Sequence, residues 1–578
     1  MITIGFSIGH DKGAVLIVDG QVKFGISQER LSRIKHDGAW KNETTPDYDI
    51  PFASINYCLD AYDIKYTDVD LYVYNFTEDY KLASDSVEQQ FSNQTGLTVD
   101  KLVYVPHHLA HACSAFYSSG FDDAAVIVVD AMGSVYNNKT MEWYKDQGYP
   151  YKNGQVAEGH SIFHFSRNSY KEVYKKWVSY PMHHTDHPEW DKGASLGYFY
   201  GTGTRQLVYN TENNTWAAGK LMGLASYADD EWLKCEPDLI DINHLTKTFK
   251  VHGWPHFYRP EVDYKSSFQD RANLAGLYQR SLERGVMMLT DYVKRNIKTD
   301  NLCVAGGCFL NCNTNEKLVK SGLFKDYFFL PPADDSGIPL GCAWFGQLTL
   351  GLGEFVPPRL KSAYFGKTYS EHDVTHGIYG YMNDTQNHNF TVRRFDSEDE
   401  QLDIVAKMLA DNKVIGYFSG GSEIGPRALG HRSILASPNP VWMKEYINAE
   451  IKKREWYRPF APSVLEDYAT DIFELKFYSP FMLVTSQVNS DWISRIPAVV
   501  HIDNTSRFQS VSKNVNPKYY SLIDKFRFLT GIPLLLNTSF NGNDEPIVES
   551  PYDAIRCFYR NKLDALCIEN YLITNLKK

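Results

Sequence analysis

The sequence predicts a multidomain α/β protein, on three observations. Its 578 residues exceed one core at about 150 residues per domain, so two to four domains are expected. Short apolar strand runs closed by glycine turns alternate with stretches of helical spacing. The strand-led pattern of the N-terminus also begins again near residue 124, which points to a duplicated arrangement. A hydrophobic share of 43%, a charged share of 22% and a net charge of −11 are those of an ordinary soluble globular chain rather than a nucleic-acid coat. A net sum still conceals local basic pockets.

The elements follow in order. Ile2 to Ile8, Ala14 to Val18 and Gln21 to Ser27 read as three strands, with Gly9–Gly13 and Asp19-Gly20 as turns. Leu109 to Tyr117 is a short helical pattern, and Ala124 to Val129 a buried strand ending on Asp130, with Met132-Gly133 as the next turn. Asn273 to Ile297 repeats at helical spacing, and Leu302 to Ala305 is a buried strand feeding Gly306-Gly307. Gly351 to Lys367, with Pro357-Pro358, marks the domain boundary. The expected division is 1–355, a linker region at 356–390 and a second domain at 391–578. The first apolar stretch lacks the basic start and cleavage site of a secretory signal, and no apolar run reaches 18 residues. Nine cysteines without a C-x-x-C pair read mostly as small core residues. The expected location is therefore the cytoplasm.

His107 and His111 stand four apart, which on a helix puts both imidazoles on one face about 5–6 Å apart. Asp130 at a strand end and Asp335 before a helix supply carboxylates, and such a nitrogen and oxygen set suits Fe(II), Mn or Zn. Two glycine turns that open helices offer amide cradles for phosphate: Gly219 to Ala225, with Lys220 and Gly223, and Ala305 to Asn311, with Gly306 and Gly307. Neither is a Walker P-loop. The His-rich stretch Pro181 to Trp190 reads as a loop over a pocket rather than a second metal site, because Pro181 and Pro188 forbid one continuous helix.

The second half holds the concealed basic cluster: Gly425-Pro426-Arg427 through Arg432, Lys452-Lys453-Arg454, Arg458, and His501 through Arg507. Asn537 to Asn541 follows the apolar strand Pro533 to Leu536. These arginines lie among Pro, Gly, Phe and Ala rather than Glu and Lys, and guanidinium groups so embedded need phosphate or carboxylate partners.

Together these segments resemble the ATP-dependent O-carbamoyltransferases that tailor antibiotics, nodulation factors and related natural products. The resemblance runs from about residue 2 to 575 and rests on His10-Asp11, the run Glu29 to Asp37, the His107/His111 pair, Gly219 to Tyr227 and Gly306-Gly307 with Asn311. Asp334-Asp335-Ser336-Gly337, Glu423 with Gly425 to Gly430, and Asn537 to Asn541 complete it, in that order. It implies an actin-like (ASKHA, duplicated ribonuclease-H-like) first domain, taken to include Glu29 to Asp37, and a YrdC-like α/β second domain. It implies a two-step reaction, in which carbamoyl phosphate and ATP give carbamoyl adenylate in the second domain and the carbamoyl group passes to a small-molecule alcohol in the first.

Carried over onto this chain, Arg427, Lys452, Arg507, Asn537 and Ser539 hold carbamoyl phosphate and the adenylating nucleotide. Lys220, Gly223, Gly306, Gly307 and Asn311 contact nucleotide in the first domain. His107, His111, Asp130 and Asp335 bind a metal, iron in the family, and Mg accompanies ATP. His10 takes the acceptor's proton and Lys35 steadies the developing charge. No nucleic-acid or membrane partner is expected, and a homodimer is the expected assembly. The chain departs from the family pattern at Ala131, Ser134, Gln28 and Ser419-Gly420-Gly421. Two other readings are protein carbamoylation, as in hydrogenase maturation, and a non-catalytic nucleotide switch that binds an anionic partner. The first expects C-x-x-C zinc pairs and the opposite domain order. The second has no need of Arg427, Lys452, Arg507 and the Asn537–Asn541 loop together.

Overall fold

The computed structural model describes residues 1–37, 49–77, 80–137, 155–179, 195–208, 217–243, 248–251, 267–351, 357–385 and 390–575. The His-rich stretch 181–190 lies outside them. The chain divides into two compact units, Met1–Gly25 with His36–Leu360, and Ile26–Lys35 with Lys361–Lys578. The division thus falls inside the expected boundary stretch Gly351 to Lys367. Ten residues near the N-terminus belong to the second unit, and the stretch expected as a linker carries the helix Glu371–Thr385.

The first unit is built on two sheets. One uses β1 (Ile2–Ser7), β2 (Gly13–Val18), β3 (Gln21–Ser27), β4 (Leu71–Asn75) and β5 (Leu102–Tyr104), in the order β3-β2-β1-β4-β5. The other uses β6 (Asp123–Val129), β7 (Val135–Asn137), β8 (Gln155–Ser166) and β9 (Ser169–Ser179). A separate pair, β10 (Ile240–Asn243) and β11 (Thr248–Val251), precedes its last members, β12 (Asn301–Ala305) and β13 (Asp326–Phe329). The second sheet runs β13-β12-β6-β8-β7, with β9 on β8. In each sheet the leading strand is central. It pairs antiparallel with its neighbour on one side, β2 or β8, while two parallel strands lie on the other, β4 and β5 or β12 and β13. The strands read from the sequence fall within a residue or so of these bounds because each is an apolar run closed by a turn residue.

Two helices set where the site lies. His107–Ser119, buried along its whole length, ends on Gly120 in the left-handed conformation at φ 71°. It packs against Ile338–Thr349, and the approach is close: a Cβ on Gly341 would stand 1.8 Å from the carbonyl oxygen of Ala110. Only a residue without a side chain lets the two backbones touch there. The long helix Phe268–Asn296 opens five residues before the sequence pattern indicated. Ser267 caps it by accepting from the Asp270 amide.

The second unit has one eight-stranded sheet. Its strands are β14 (Phe390–Arg394), β15 (Ile415–Phe418), β16 (Arg432–Ala436), β17 (Ala461–Leu465), β20 (Gln509–Val511), β21 (Leu534–Ser539), β22 (Ala565–Ile568) and β23 (Tyr571–Asn575). They lie in the order β14-β23-β22-β15-β16-β21-β17-β20, and β18 (Thr485–Gln487) pairs separately with β19 (Thr505–Arg507). The helices Glu398–Ala410 and Pro517–Thr530 supply much of its covering core, through Leu402, Val405, Leu522 and Phe526. Gly341→Val is expected to lower the unfolding free energy of the first unit by about 2 kcal/mol or more, read as a melting temperature several degrees below that of the wild type. A variant that melts with the wild type would show that the two helices are not in backbone contact.

Candidate functional site

In the first unit, the end of β6, the first two turns of the helix His107–Ser119 and the turn Asp335–Gly337 bring four polar side chains to one point. His107 Nε2 lies 3.2 Å from Asp130 Oδ2 and 3.4 Å from Asp335 Oδ1, and His111 Nε2 lies 3.2 and 3.5 Å from the same two atoms. One ligand atom from each residue falls within 4.8 Å of all the others. Burial works against charge on His107, yet Asp335 and then Asp130 overcome it and hold its pKa up at about 10. Burial likewise opposes ionisation of both carboxylates, and the facing imidazoles keep each of them below the usual carboxylate range.

These residues fit a divalent cation. His107 Nδ1 is 2.9 Å from Asn75 Oδ1, while Asn75 Nδ2 donates to the carbonyl of Val105 at 2.8 Å. The Asn75 amide is thereby oriented with its oxygen toward His107, so Nδ1 carries the proton and donates. Nε2 is then the atom that faces the two carboxylates, and a divalent cation in place of its proton would satisfy all three groups. Ser134 and Glu158 support the same corner. Ser134 Oγ accepts from the His107 amide at 2.9 Å, and Glu158 Oε2 accepts from the amides of His108 and Ser134, both at 3.1 Å.

His10 stands beside this cluster, with Nε2 3.4 Å from Asp335 Oδ2 and Nδ1 3.2 Å from Asp11 Oδ2. Asp11 also takes His36 Nδ1 at 2.7 Å. Burial lowers the pKa of His10 and the carboxylates of Asp335 and Asp11 more than reverse this, raising it to about 9. Its side chain retains 30% of its surface, enough to be reached by a substrate. Lys35, expected to act with it, is an exposed residue of the second unit, near enough to Lys452 to disfavour that ammonium.

The two glycine segments differ from the expectation. Gly219 to Ala225 is helix, Ala218–Ala225, rather than turn, and Gly223 is buried within it. Ala, Leu, Met and Lys are strong helix formers and outweigh two glycines. Gly306 does turn, at φ 97°, where a Cβ would meet the Val129 carbonyl oxygen at 2.3 Å. Gly307 starts a short 3₁₀ turn, and a Cβ there would lie 3.3 Å from Asp130 Oδ1. Asn311 has its side chain engaged by the fold: Oδ1 caps Cys312–Lys320 by accepting from Thr314, and Nδ2 donates to Gln279 at 2.8 Å.

In the second unit, Arg427 lies on the loop between β15 and β16, Lys452 just past a π-helical turn Ile447–Ile451, and Arg507 at the end of β19. Asn537 and Ser539 stand on β21 itself, not after it, because the ladder to β16 continues as far as Ser433 opposite Ser539. Lys452 Nζ donates to the carbonyl oxygens of Ser539 and Asn541 at 2.6 and 3.0 Å. It also meets Asn541 Oδ1 at 2.6 Å and Ser539 Oγ at 3.3 Å. Asn537 Nδ2 donates to Ala428 O at 3.1 Å and Ser463 Oγ at 2.9 Å, which ties β21 to the Arg427 loop. Burial first, then Arg454, Arg458 and Lys35, press the pKa of Lys452 well below its ordinary value. Arg454 is pressed down by burial and by Arg458 and Arg507.

Comparison with known proteins bears on both units. The family model for the carbamoyltransferase N-terminus matches residues 3–94 and 81–344, and that for the carbamoyltransferase C-terminus matches residues 406–575. The chain belongs to the carbamoyltransferase family. It is 34% identical over 596 residues to nodulation protein NolNO of Sinorhizobium fredii, covering 98% of this chain and 79% of that protein. Nodulation protein NolO of Bradyrhizobium diazoefficiens is 34% identical over 478 residues, 81% of this chain and 78% of its own length. Among solved structures, full-length HypF in its phosphate- and nucleotide-bound form aligns at 14% identity with a TM-score of 0.38, over 61% of this chain and 56% of that one.

This carbamoyltransferase is therefore a carbamoyl-transferring enzyme, and the reading as a non-catalytic switch is set aside. Its sequence left unmarked several residues that the structure brings to the sites. Asn75 is signalled only as the polar end of an apolar strand, and Asn541 only by its place in the Asn537–Asn541 loop. Asn75→Ala is expected to weaken metal retention about 10–100-fold without unfolding the chain. Titration of Fe(II) or Zn(II) against a chelator would read this directly, and an unchanged affinity would remove Asn75 from the site.

Proposed function

We propose that this carbamoyltransferase makes carbamoyl adenylate in its second unit and transfers the carbamoyl group to a hydroxyl of a small molecule in its first. The observation that carries the reading is the buried amino group of Lys452, held by four neutral oxygens on β21 and its loop. Half-buried Arg454 is bound likewise to Asn448 Oδ1 and, more weakly, to the Pro459 carbonyl. Lys452 and Arg454, each held by neutral oxygens and crowded by further cations, favour a small dianion such as carbamoyl phosphate.

In this scheme water hydrolyses carbamoyl phosphate to carbamate and inorganic phosphate. A carbamate oxygen attacks the α-phosphorus of Mg-bound ATP, and pyrophosphate leaves. Two anions approach one another in that step, and Arg427, Lys452 and Arg507 lower its barrier by stabilising the charge as it develops. The acceptor oxygen then attacks the carbamoyl carbon and AMP leaves. The neutral form of His10, which a cation held on Asp335 would favour, receives the hydroxyl proton at Nε2, with Asp11 holding its Nδ1–H as the orienting carboxylate does in a catalytic triad. When bound by His107, His111, Asp130 and Asp335, the metal ion would offset the two carboxylates and supply a Lewis acid for the adenylate phosphate. An actin-like first domain agrees with the repeated strand order of the two sheets, and a YrdC-like second domain with the anion pocket.

The test is incubation of the full chain with ATP and labelled carbamoyl phosphate without acceptor. Pyrophosphate and labelled carbamoyl adenylate are expected, and Arg507→Ala is expected to reduce both by about 100-fold or more. If neither forms although ATP binds, the two-step reading fails. Because a dianion favours the charged form of Lys452, carbamoyl phosphate should bind with proton uptake and progressively more weakly as pH rises through the depressed pKa. Calorimetry in buffers of different ionisation enthalpy measures the uptake, and Lys452→Met should abolish it.

A further inference from the structure

Residues 26–35 are the one part of the second unit that comes from the N-terminal end of the chain. They form a short helix, Gln28–Ser32, ended by Arg33 in the left-handed conformation at φ 63°. Arg33 donates to the carbonyls of Ile547 and Pro546 at 2.7 and 2.8 Å. Arg30 is 3% exposed, and its Nη2 donates to the carbonyl of Gly425 at 2.9 Å. That carbonyl is two residues before Arg427, at a glycine whose φ of 94° favours a residue without a side chain.

The same loop is gathered from the other side by Glu423. This carboxylate is 1% exposed, and its Oε1 accepts from the amides of Leu429, His431 and Arg432 at 2.7, 2.9 and 3.1 Å. Three amide donors orient the anion, and positive charge makes its burial tolerable. Burial opposes its ionisation, and His431, then Arg30 and the amide donors, act against burial, while burial presses His431 itself down to about 4. The loop Glu423–Arg432 is thus closed on one buried anion and braced at Gly425 by one buried cation.

We propose that Arg30 is a positioning residue for anion binding in the second unit: it fixes the Gly425 turn and counters Glu423, so that Arg427 is presented in one place. The proposal rests on the reading of this unit as the carbamoyl-phosphate site. Arg30 touches no substrate and acts through Arg427. Arg30 donates to the Gly425 carbonyl and acts on Glu423 through its charge, and a lysine ammonium lacks the planar fork that fixes such a geometry. Arg30→Lys should therefore rescue only in part.

The experiment measures pyrophosphate release by the full-length chain as carbamoyl phosphate is varied, for Arg30→Gln, Arg30→Lys, Arg427→Ala and the Arg30→Gln/Arg427→Ala double variant. Arg30→Gln is expected to reduce kcat/KM for carbamoyl phosphate by about tenfold or more, with Arg30→Lys between it and the wild type. With Arg427 already removed, Arg30→Gln should cost little more, about twofold or less, because the two act as one unit. If the two losses multiply, or if Arg30→Gln is as active as the wild type, the proposal is overturned. Should Arg30→Gln fail to fold, the same cycle with Arg30→Lys decides. A wild-type chain that releases no pyrophosphate would instead overturn the adenylation reading, and this proposal with it.

Discussion

Charge brought to the ends of buried strands organises the first unit. Asp130 and Asp335 come from opposite parts of the chain and meet at the Nε2 atoms of His107 and His111. Isolated carboxylates so deeply placed would be neutral or would open the fold. They persist as anions because two imidazoles face them, and those imidazoles are themselves aimed by Asn75 and by the helix that carries them. The touching of that helix against Ile338–Thr349 at Gly341, and the left-handed turn at Gly306, follow from the need to bring these groups together.

The second unit solves the opposite problem. Lys452 and Arg454 meet neutral oxygens, while the nearby Arg458 is paired with Glu455 at 3.8 Å. Glu423 is tied up in the backbone amides of Leu429, His431 and Arg432, so its charge builds the loop that carries Arg427.

Much of this was legible in the sequence where the signal is local. The His107/His111 spacing, the acid at the end of the strand Ala124 to Val129 and the Asp334-Asp335 turn need only their neighbours to be recognised. Asn75 does not: 32 residues separate it from His107, and a terminal strand asparagine has no local mark. Arg30 reads as one charge in the run Glu29 to Asp37, ordinarily a solvated face, and only the tertiary fold shows it buried in the second unit. The Gly219 segment was misread because glycine was weighed above its helix-forming neighbours. Asn537 and Ser539 were placed beyond the strand because polar residues ended the apolar run, although ladder pairing with β16 continues through them.

Arg30 and Arg33 grip the second unit chiefly by main-chain oxygens, those of Gly425, Pro546 and Ile547, beside one ion pair from Arg33 to Asp553. A contact with a carbonyl is indifferent to the side chain that bears it. The loops reached from the N-terminal end can therefore change residue by residue while the grip on them persists, so long as their backbone path is kept. Insertions or deletions that shift that path, rather than substitutions, are the changes this architecture tolerates least.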